Sequence, residues 1–155
     1  MSAQPNDLEY EVVDVDAADT YDLRRHVLRR GTPTDDVNLD ADGAPGTRHL
    51  AIRDGDGVVI GTSTWTEREC PRRPGVRAVQ LRAMAVHDDY QGRGLGGSLV
   101  DAGIALAVEL GVDLVWANAR DTALAFYATK GLDTIGDGFL TDDTQIPHHM
   151  VIRNL

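Results

Sequence analysis

The sequence has little of what several protein classes require. Its single cysteine, Cys70, excludes an internal disulfide framework and a cysteine-rich zinc site, and its five histidines lack the spacing of metal ligands. No apolar run approaches the roughly 18 residues that span a bilayer. Residues 1–7 have neither the basic nor the apolar region of a signal peptide. These absences predict a cytoplasmic protein without a metal site or membrane contacts.

Positive charge is also scarce. Lys130 is the only lysine beside 14 arginines, whereas 20 aspartates and 5 glutamates bring the net charge to −10. Because no basic stripe is present to neutralise phosphates, nucleic acid is not expected as a partner. The acidic excess favours a halophilic protein, since a salt-rich cytoplasm screens self-repulsion. A GC-rich genome, which favours Arg over Lys and Asp over Asn, is the alternative explanation, and composition does not separate the two.

Length and pattern together predict a fold class. A chain of 155 residues with 42% hydrophobic content makes one domain around one core, covering residues 1–155 with residues 1–7 flexible. Strands in a run, followed by strand–helix–strand–helix–strand, predict an α/β (α+β mixed) sheet with a parallel segment in its second half. The predicted strands cover 8–15, 49–53, 58–65, 76–86, 112–117, 132–135 and 146–152. The first predicted helix is capped by Asp16 or Asp19 and ends at about Arg30, and the others cover 95–110 and 121–130.

Two local expectations accompany this fold. The Asp-rich stretch 34–46 is expected to be a short helix or mobile loop with solvated acids. The strand ending at Val86 is expected to be buried on both sides there, because Met84 and Val86 add a second apolar face to the alternating pattern.

The glycine-rich segment 91–97 lies between a predicted buried strand and the most regular predicted helix. Glycines allow close backbone approach, and the first N–H groups of a helix form a site for phosphate or pyrophosphate. The spacing Gly92-x-Gly94-x-x-Gly97 also fits the dinucleotide-binding fingerprint. In a Rossmann unit, however, the motif follows the first strand directly, whereas here about 85 residues precede it and residues 87–91 separate it from the strand. A plain solvent loop is the simplest alternative.

With Gln91, Gly94 and Gly96, this segment resembles the acyl-CoA signature Gln/Arg-x-x-Gly-x-Gly/Ala of the GNAT N-acetyltransferase superfamily. The similarity extends to the apolar strand 81–86 and to Phe-Tyr at 126–127, followed by Gly-Leu at 131–132 where Gly-Phe is usual. Segments 116–120 and 146–150 are similar to an uncharacterised prokaryotic branch of that superfamily, which gives no substrate.

The resemblance implies an acyl-CoA N-acyltransferase fold, in which helices flank a central mixed sheet with splayed strands. Acetyl-CoA would lie where the strand ending at Val86 diverges from the strand ending near Asn118. It also implies direct acetyl transfer to a primary amine in a ternary complex. The implied coenzyme contacts are Met84, Ala85, Val86, Gln91, Gly92, Arg93, Gly94, Leu95, Gly96, Gly97, Asn118 and Tyr127.

For catalysis, the resemblance implies Tyr127 as general acid, because a phenol with a pKa of about 10 keeps its proton at neutral pH. A core tyrosine packed beside Phe126 is the alternative. Glu67, His49 and His148 are candidate bases, although each also fits a solvated or structural role and water can relay the proton. Asn118 either bonds a ligand or merely ends its strand.

The acceptor stays open among a small amine, an amino acid and a protein amino group, and the acidic composition favours a cationic one. A homodimer is compatible with the sequence. Because no base is obvious, a non-catalytic acyl-CoA-binding or regulatory domain is the alternative function.

Overall fold

Seven β-strands form one mixed sheet in the computed structural model, which describes residues 10–39, 41–142 and 144–155. The strand order is β1-β2-β3-β4-β5-β7-β6, and only the β4–β5 pair is parallel. The predicted mixed α/β class with a parallel pair in its second half is confirmed. The strands are β1 (Val13–Val15), β2 (Thr47–Arg53), β3 (Val59–Glu67), β4 (Ala78–Val86), β5 (Leu114–Arg120), β6 (Asp133–Leu140) and β7 (Pro147–Asn154).

Helices cover both faces of this sheet. Three α-helices occur in the described residues: α1 (Tyr21–Leu28), α2 (Leu95–Leu110) and α3 (Leu124–Thr129). Short 3₁₀ turns precede α1 and α3, so the two predicted helices there begin with a more tightly wound turn. The boundaries of α2 agree with the prediction, because Gly94 and Gly111 flank it at φ +86° and +72°, a conformation that glycine adopts without strain.

The β2–β3 hairpin follows from local chemistry. The Asp54 side chain accepts hydrogen bonds from the backbone N–H groups of Asp56 and Val58 at 2.9 and 3.0 Å. Gly57 supplies the positive φ, +85°, that closes the turn. The strands predicted at 49–53 and 58–65 therefore pair as a hairpin whose turn signal lies entirely within the loop.

Strand β6 extends five residues beyond the predicted end at Ile135. It is an edge strand that pairs only with β7 in the described structure, and most of its residues are exposed. An exposed strand needs no hydrophobic alternation, which explains why the pattern ended early. At the other end of the sheet, β1 begins at Val13 rather than residue 8; residues 1–9, including the segment predicted to be flexible, lie outside the described residues.

The main core lies between the sheet and α2. Trp65 of β3 is 1% exposed and packs against Gly103 of α2, where an added Cβ would lie 1.8 Å from the indole ring. This glycine is therefore required by close packing rather than by its backbone angles. Trp116 is also buried, in a second hydrophobic cluster.

The opposite face of the sheet is more polar and is covered by α1 and the loop that follows it. There Leu23 packs on Ala51, Val59 and Ala85. The expectation of solvated acids in residues 34–46 is wrong for Asp42, because its side chain is only 9% exposed and pairs with Arg24. This burial requires a cation from a separate helix, which local composition does not reveal.

Within the described ranges, no helix has the length and apolar character to cross a bilayer. The same ranges contain no group of three or more His, Cys, Asp or Glu side chains arranged to hold a metal ion.

Candidate active site

A cleft opens between the two parallel strands. Strands β4 and β5 pair only from Ala78–Leu81 to Leu114–Ala117 and then diverge. The β5-facing backbone groups of residues 82–86 consequently lack a partner strand. Unpaired backbone donors and acceptors in a cleft are available to a ligand that carries amide groups. A cavity of about 1160 Å³ occupies this region.

A β-bulge shapes the cleft side of β4. The register with β3 shifts between Thr62, which faces Ala85, and Thr64, which faces Arg82. The extra residue places Ala83 at φ +51°, a left-handed conformation that is uncommon for a residue with a side chain. The expectation of burial on both sides is wrong here, because Ala83 and Met84 are only half-buried and line the cavity.

The glycine-rich loop forms one end of the cavity. Gly92 and Gly94 have φ values of +78° and +86°, and a Cβ at either would meet nothing within 4 Å. Their role is therefore the left-handed turn that directs the chain into α2. Four loop glycines, Gly92, Gly94, Gly96 and Gly97, line the cavity together with Leu95. The start of a 16-residue helix thus faces the cavity with unpaired N–H groups, an arrangement that suits a phosphate.

Two polar side chains of this loop have different roles. Gln91 lines the cavity, and its Nε2 donates to the carbonyl oxygen of Val86 at 3.1 Å, tying the loop to the end of β4. Arg93 is exposed and its guanidinium lies over the Tyr90 ring, 5.2 Å from the centroid. Arg93 is not among the described residues that line the cavity.

Tyr127 of α3 enters the same cavity. It is 6% exposed, and its ring meets Phe126 edge-on with centroids 5.2 Å apart. Burial raises the pKa of the Tyr127 phenol to about 12, so the hydroxyl keeps its proton at neutral pH. Asn118 of β5 also lines the cavity and is exposed to it.

Among the three candidate bases, His148 is the one in the cavity wall. Its Nδ1 lies 2.7 Å from the carbonyl oxygen of Ile146, and a carbonyl only accepts, so Nδ1 carries the hydrogen. In the neutral ring Nε2 is then the acceptor. The ring also stacks on Phe139 at 5.9 Å, which holds its orientation.

The other two candidates are not among the described residues that line the cavity. His49 lies in a buried network, with Nδ1 2.9 Å from Thr64 Oγ1 and Nε2 3.1 Å from the carbonyl oxygen of Asp42. Glu67 is exposed and pairs with Arg77 at 2.8 Å. Both side chains therefore have structural partners away from the cleft.

The cavity also contains five arginines to which the sequence pattern assigns no role. They come from five places in the fold: Arg24 in α1, Arg29 just after α1, Arg68 in the β3–β4 connection, Arg82 in β4 and Arg120 in β5. Alternation along the strands would have placed Arg82 and Arg120 on one face, but the contribution of α1 depends on how that helix packs.

A comparison with known families settles the classification. The model of the Acetyltransferase (GNAT) family matches residues 17–132, a span that includes the cleft, the glycine-rich loop and Tyr127. This chain belongs to the GNAT family. The expected superfamily is thereby confirmed, and membership indicates acyl transfer from an acyl-CoA as the general activity.

Individual GNAT relatives agree with this assignment. The chain is 30% identical over 142 residues to the uncharacterized N-acetyltransferase YitI of Bacillus subtilis (strain 168), covering 92% of this chain and 93% of that one. It superposes on an acyl-CoA N-acyltransferase from Pseudomonas aeruginosa with a TM-score of 0.74 at 22% identity, over 94% and 99% of the two chains. Escherichia coli ElaA gives a TM-score of 0.75 at 17% identity, over 94% and 99%. The two structures share the GNAT fold with this chain.

Proposed function

We propose that this GNAT domain transfers an acetyl group from acetyl-CoA directly to a primary amine while both substrates are bound. The observation that supports this most is that one cavity contains the unpaired end of β4, the glycine-rich start of α2 and the Tyr127 hydroxyl. These three features suit, respectively, the pantetheine amides, the pyrophosphate and the sulfur of the coenzyme.

Coenzyme binding would follow the cleft. The pyrophosphate would accept hydrogen bonds from the first N–H groups of α2, and the pantetheine would pair with the backbone of residues 82–86. Met84, Ala85 and Val86 would thus bind through their main chain, and Asn118 would contact the coenzyme from the facing strand. A backbone donor near the thioester carbonyl would stabilise the charge that develops on its oxygen, and such a donor is typically worth about 3 kcal/mol.

The transfer step requires two proton movements. The amine nitrogen attacks the thioester carbonyl carbon, a C–N bond forms, and the C–S bond breaks as its electrons go to sulfur. Tyr127 would donate its proton to the sulfur, giving free CoA, and the nitrogen would lose a proton to a base. The raised pKa of Tyr127 supports this role, because the proton is present at neutral pH.

His148 is the base that the geometry favours. It combines a place in the cavity wall with an Nε2 that the Nδ1–Ile146 contact leaves as acceptor. Nε2 would take the amine proton directly or through one water molecule.

The proposal is tested first by binding and then by turnover. Thermal unfolding is followed with acetyl-CoA, CoA and NAD in parallel; a ligand at 100 times its dissociation constant stabilises the protein by about 2.7 kcal/mol. We expect stabilisation by acetyl-CoA and CoA but not by NAD, and release of CoA thiol when an amine is added. Binding without amine-dependent release would support the non-catalytic alternative, and the absence of binding would contradict the proposal.

The base is tested separately with His148→Gln. The adjacent His149→Gln is the matched control, because His149 pairs with Asp121 instead, at 2.6 Å. Loss of a general base typically costs about 10²–10⁴-fold in rate, and the remaining rate should rise with pH as more of the amine is neutral. Equal rates and pH profiles in the two variants would remove His148 from the mechanism.

A further inference from the structure

The wall of the cavity is rich in arginine although the chain is acidic overall. Over the whole sequence 25 acidic side chains exceed 15 basic ones. Among the described residues that line the cavity the ratio is reversed, with Glu69 the only carboxylate beside five arginines. The cavity wall is thus richer in guanidinium groups than the chain as a whole, although Arg24 is itself paired with Asp42. The five are Arg24, Arg29, Arg68, Arg82 and Arg120.

Two of these arginines share a face of the sheet with the proposed base. Gln80 and Trp116 are register partners across β4 and β5, and Arg82 and Arg120 follow them at even spacing, so both project from the same face. Arg120 is in turn the register partner of His148 on β7. An acceptor on this face would meet Arg82, Arg120 and His148 together.

The guanidinium groups are held by the protein itself. Arg120 Nη2 donates to the carbonyl oxygen of Leu28 at 2.6 Å, and Arg68 Nη1 donates to Gln80 Oε1 at 3.1 Å. Each guanidinium has five N–H donors in a planar fork, so a group already bound to the protein can still donate to an oxyanion. Positioned arginines lose little entropy when they bind a ligand.

Arg24 also lines this cavity. Its side chain is 1% exposed, and its Nε is the one buried side-chain polar atom without a hydrogen-bond partner among the described residues. Arg24 also donates from Nη2 to Thr64 Oγ1 at 2.7 Å, and Thr64 is the register partner of Arg82. The Arg24 guanidinium therefore lies against the strand pair from which Arg82 projects.

From this arrangement we infer that the acceptor is an amine that also carries an acidic group, a carboxylate or a phosphate, bound by Arg82 and Arg120. The inference rests on the proposed function and narrows its acceptor. It replaces the cationic acceptor suggested by the overall composition, because the acceptor contacts the cavity wall and not the acidic surface. Leu28, Val37 and Leu39 also line the cavity and would contact an apolar part of the acceptor.

The test compares matched ligand pairs by calorimetry. L-Leucine is compared with L-leucinamide, and O-phosphoethanolamine with ethanolamine, each with and without saturating CoA. Binding is measured rather than rate, because removing the acidic group also changes the basicity of the amine. We expect the acidic member of at least one pair to bind about tenfold to a hundredfold more tightly than its neutral partner, as charge-assisted hydrogen bonds predict.

Variants then attribute that difference to the arginines. Arg82→Gln and Arg120→Gln should each remove most of the preference for the acidic member and leave the neutral member's affinity unchanged. Arg77→Gln is the control, because Arg77 pairs with Glu67 and is not among the described residues that line the cavity. The pair that shows the preference distinguishes a carboxylate acceptor from a phosphate acceptor.

Equal binding of both members of each pair, including no binding at all, would overturn the inference. A preference that survives both arginine substitutions would overturn it too. Failure of CoA itself to bind would count against the proposed function, and the titrations without CoA would still report on the arginines.

Discussion

Arg24 and Asp42 form a buried two-point ion pair at the wall of the cavity. Nη1 and Nη2 of Arg24 lie 2.9 and 3.2 Å from the two carboxylate oxygens of Asp42, and the side chains are 1% and 9% exposed. Asp42 also accepts from the backbone N–H of Leu39 at 2.9 Å. The pair thereby attaches α1 to the loop whose Val37 and Leu39 line the cavity.

Removing one partner of this pair should destabilise the protein strongly. Asp42→Asn leaves the buried Arg24 cation without its counter-ion, which typically costs about 3–5 kcal/mol. Urea unfolding measures the change. Asp22→Asn is the control, since Asp22 pairs with Arg25 on the exposed side of the same helix at 3.5 Å and should change stability very little. Equal effects of the two substitutions would contradict the role of the buried pair.

The same pair makes the free energy of unfolding depend on pH in the acidic range. Burial by itself would raise the pKa of Asp42, but hydrogen bonds from Arg24 and from the Leu39 N–H hold it below the usual value. A depressed pKa stabilises the folded state above the ordinary carboxyl pKa, and that contribution is lost as pH falls through the lowered value. The stability difference between wild type and Asp42→Asn should therefore shrink at low pH.

Gly94→Glu should abolish coenzyme binding. The substitution adds bulk and negative charge where the pyrophosphate is proposed to bind, and we expect affinity for CoA to fall at least about a hundredfold. Calorimetry measures this. Gly57→Glu is a matched control, because Gly57 has nearly the same φ, +85° against +86°, and equally open surroundings. If both variants bind CoA equally well, the pyrophosphate site is misplaced.

Tyr127→Phe should reduce turnover by about 10²–10⁴-fold, the usual effect of losing a general acid, and leave CoA affinity nearly unchanged. Steady-state CoA release and calorimetry provide the two readouts. Tyr90→Phe is the control, because Tyr90 also lines the cavity. Full activity of Tyr127→Phe would exclude the phenol from the reaction.

The raised pKa of Tyr127 also predicts how the stability of the protein changes at alkaline pH. Because burial raises its pKa from 10.0 to about 12, the folded state favours the protonated phenol. This contribution to stability is complete below pH 10 and is lost as pH rises toward about 12. Tyr127→Phe should lose less stability than wild type over that interval, and identical losses would contradict the assignment of the raised pKa.

Gly103→Ala tests the packing of α2 on the sheet. The new Cβ would lie 1.8 Å from Trp65, so the helix or the indole must move, and overpacking typically costs about 1–3 kcal/mol. Gly43→Ala is the control, since a Cβ there meets nothing within 4 Å. Chemical unfolding that shows no difference between the two would mean that the interface adjusts freely.

Salt separates the two explanations of the acidic composition. If the net charge of −10 reflects salt adaptation, the unfolding temperature should rise from low to molar KCl as repulsion is screened. A flat or falling response would favour genome composition instead.

Much of this protein could be predicted from its sequence because the signals are local. Helix α2 is bounded by Gly94 and Gly111, and the β2–β3 turn is determined by Asp54 and Gly57, residues that act on their own neighbours. The glycine-rich loop likewise indicates its ligand class, since its position between a strand and a helix follows from the order of elements along the chain.

The tertiary structure decided the rest. The left-handed conformation of Ala83 arises from the register between β3 and β4, a relationship between distant segments. The burial of Asp42 depends on Arg24 from another element. Likewise, His148 lines the cavity because β7 pairs with β5, one of the two strands that bound the cleft. His49 lies on β2, which pairs with β3, and is not among the described lining residues. Local sequence signals determined the family and the glycine-rich loop, whereas long-range pairing and packing determined which side chains meet in the cavity.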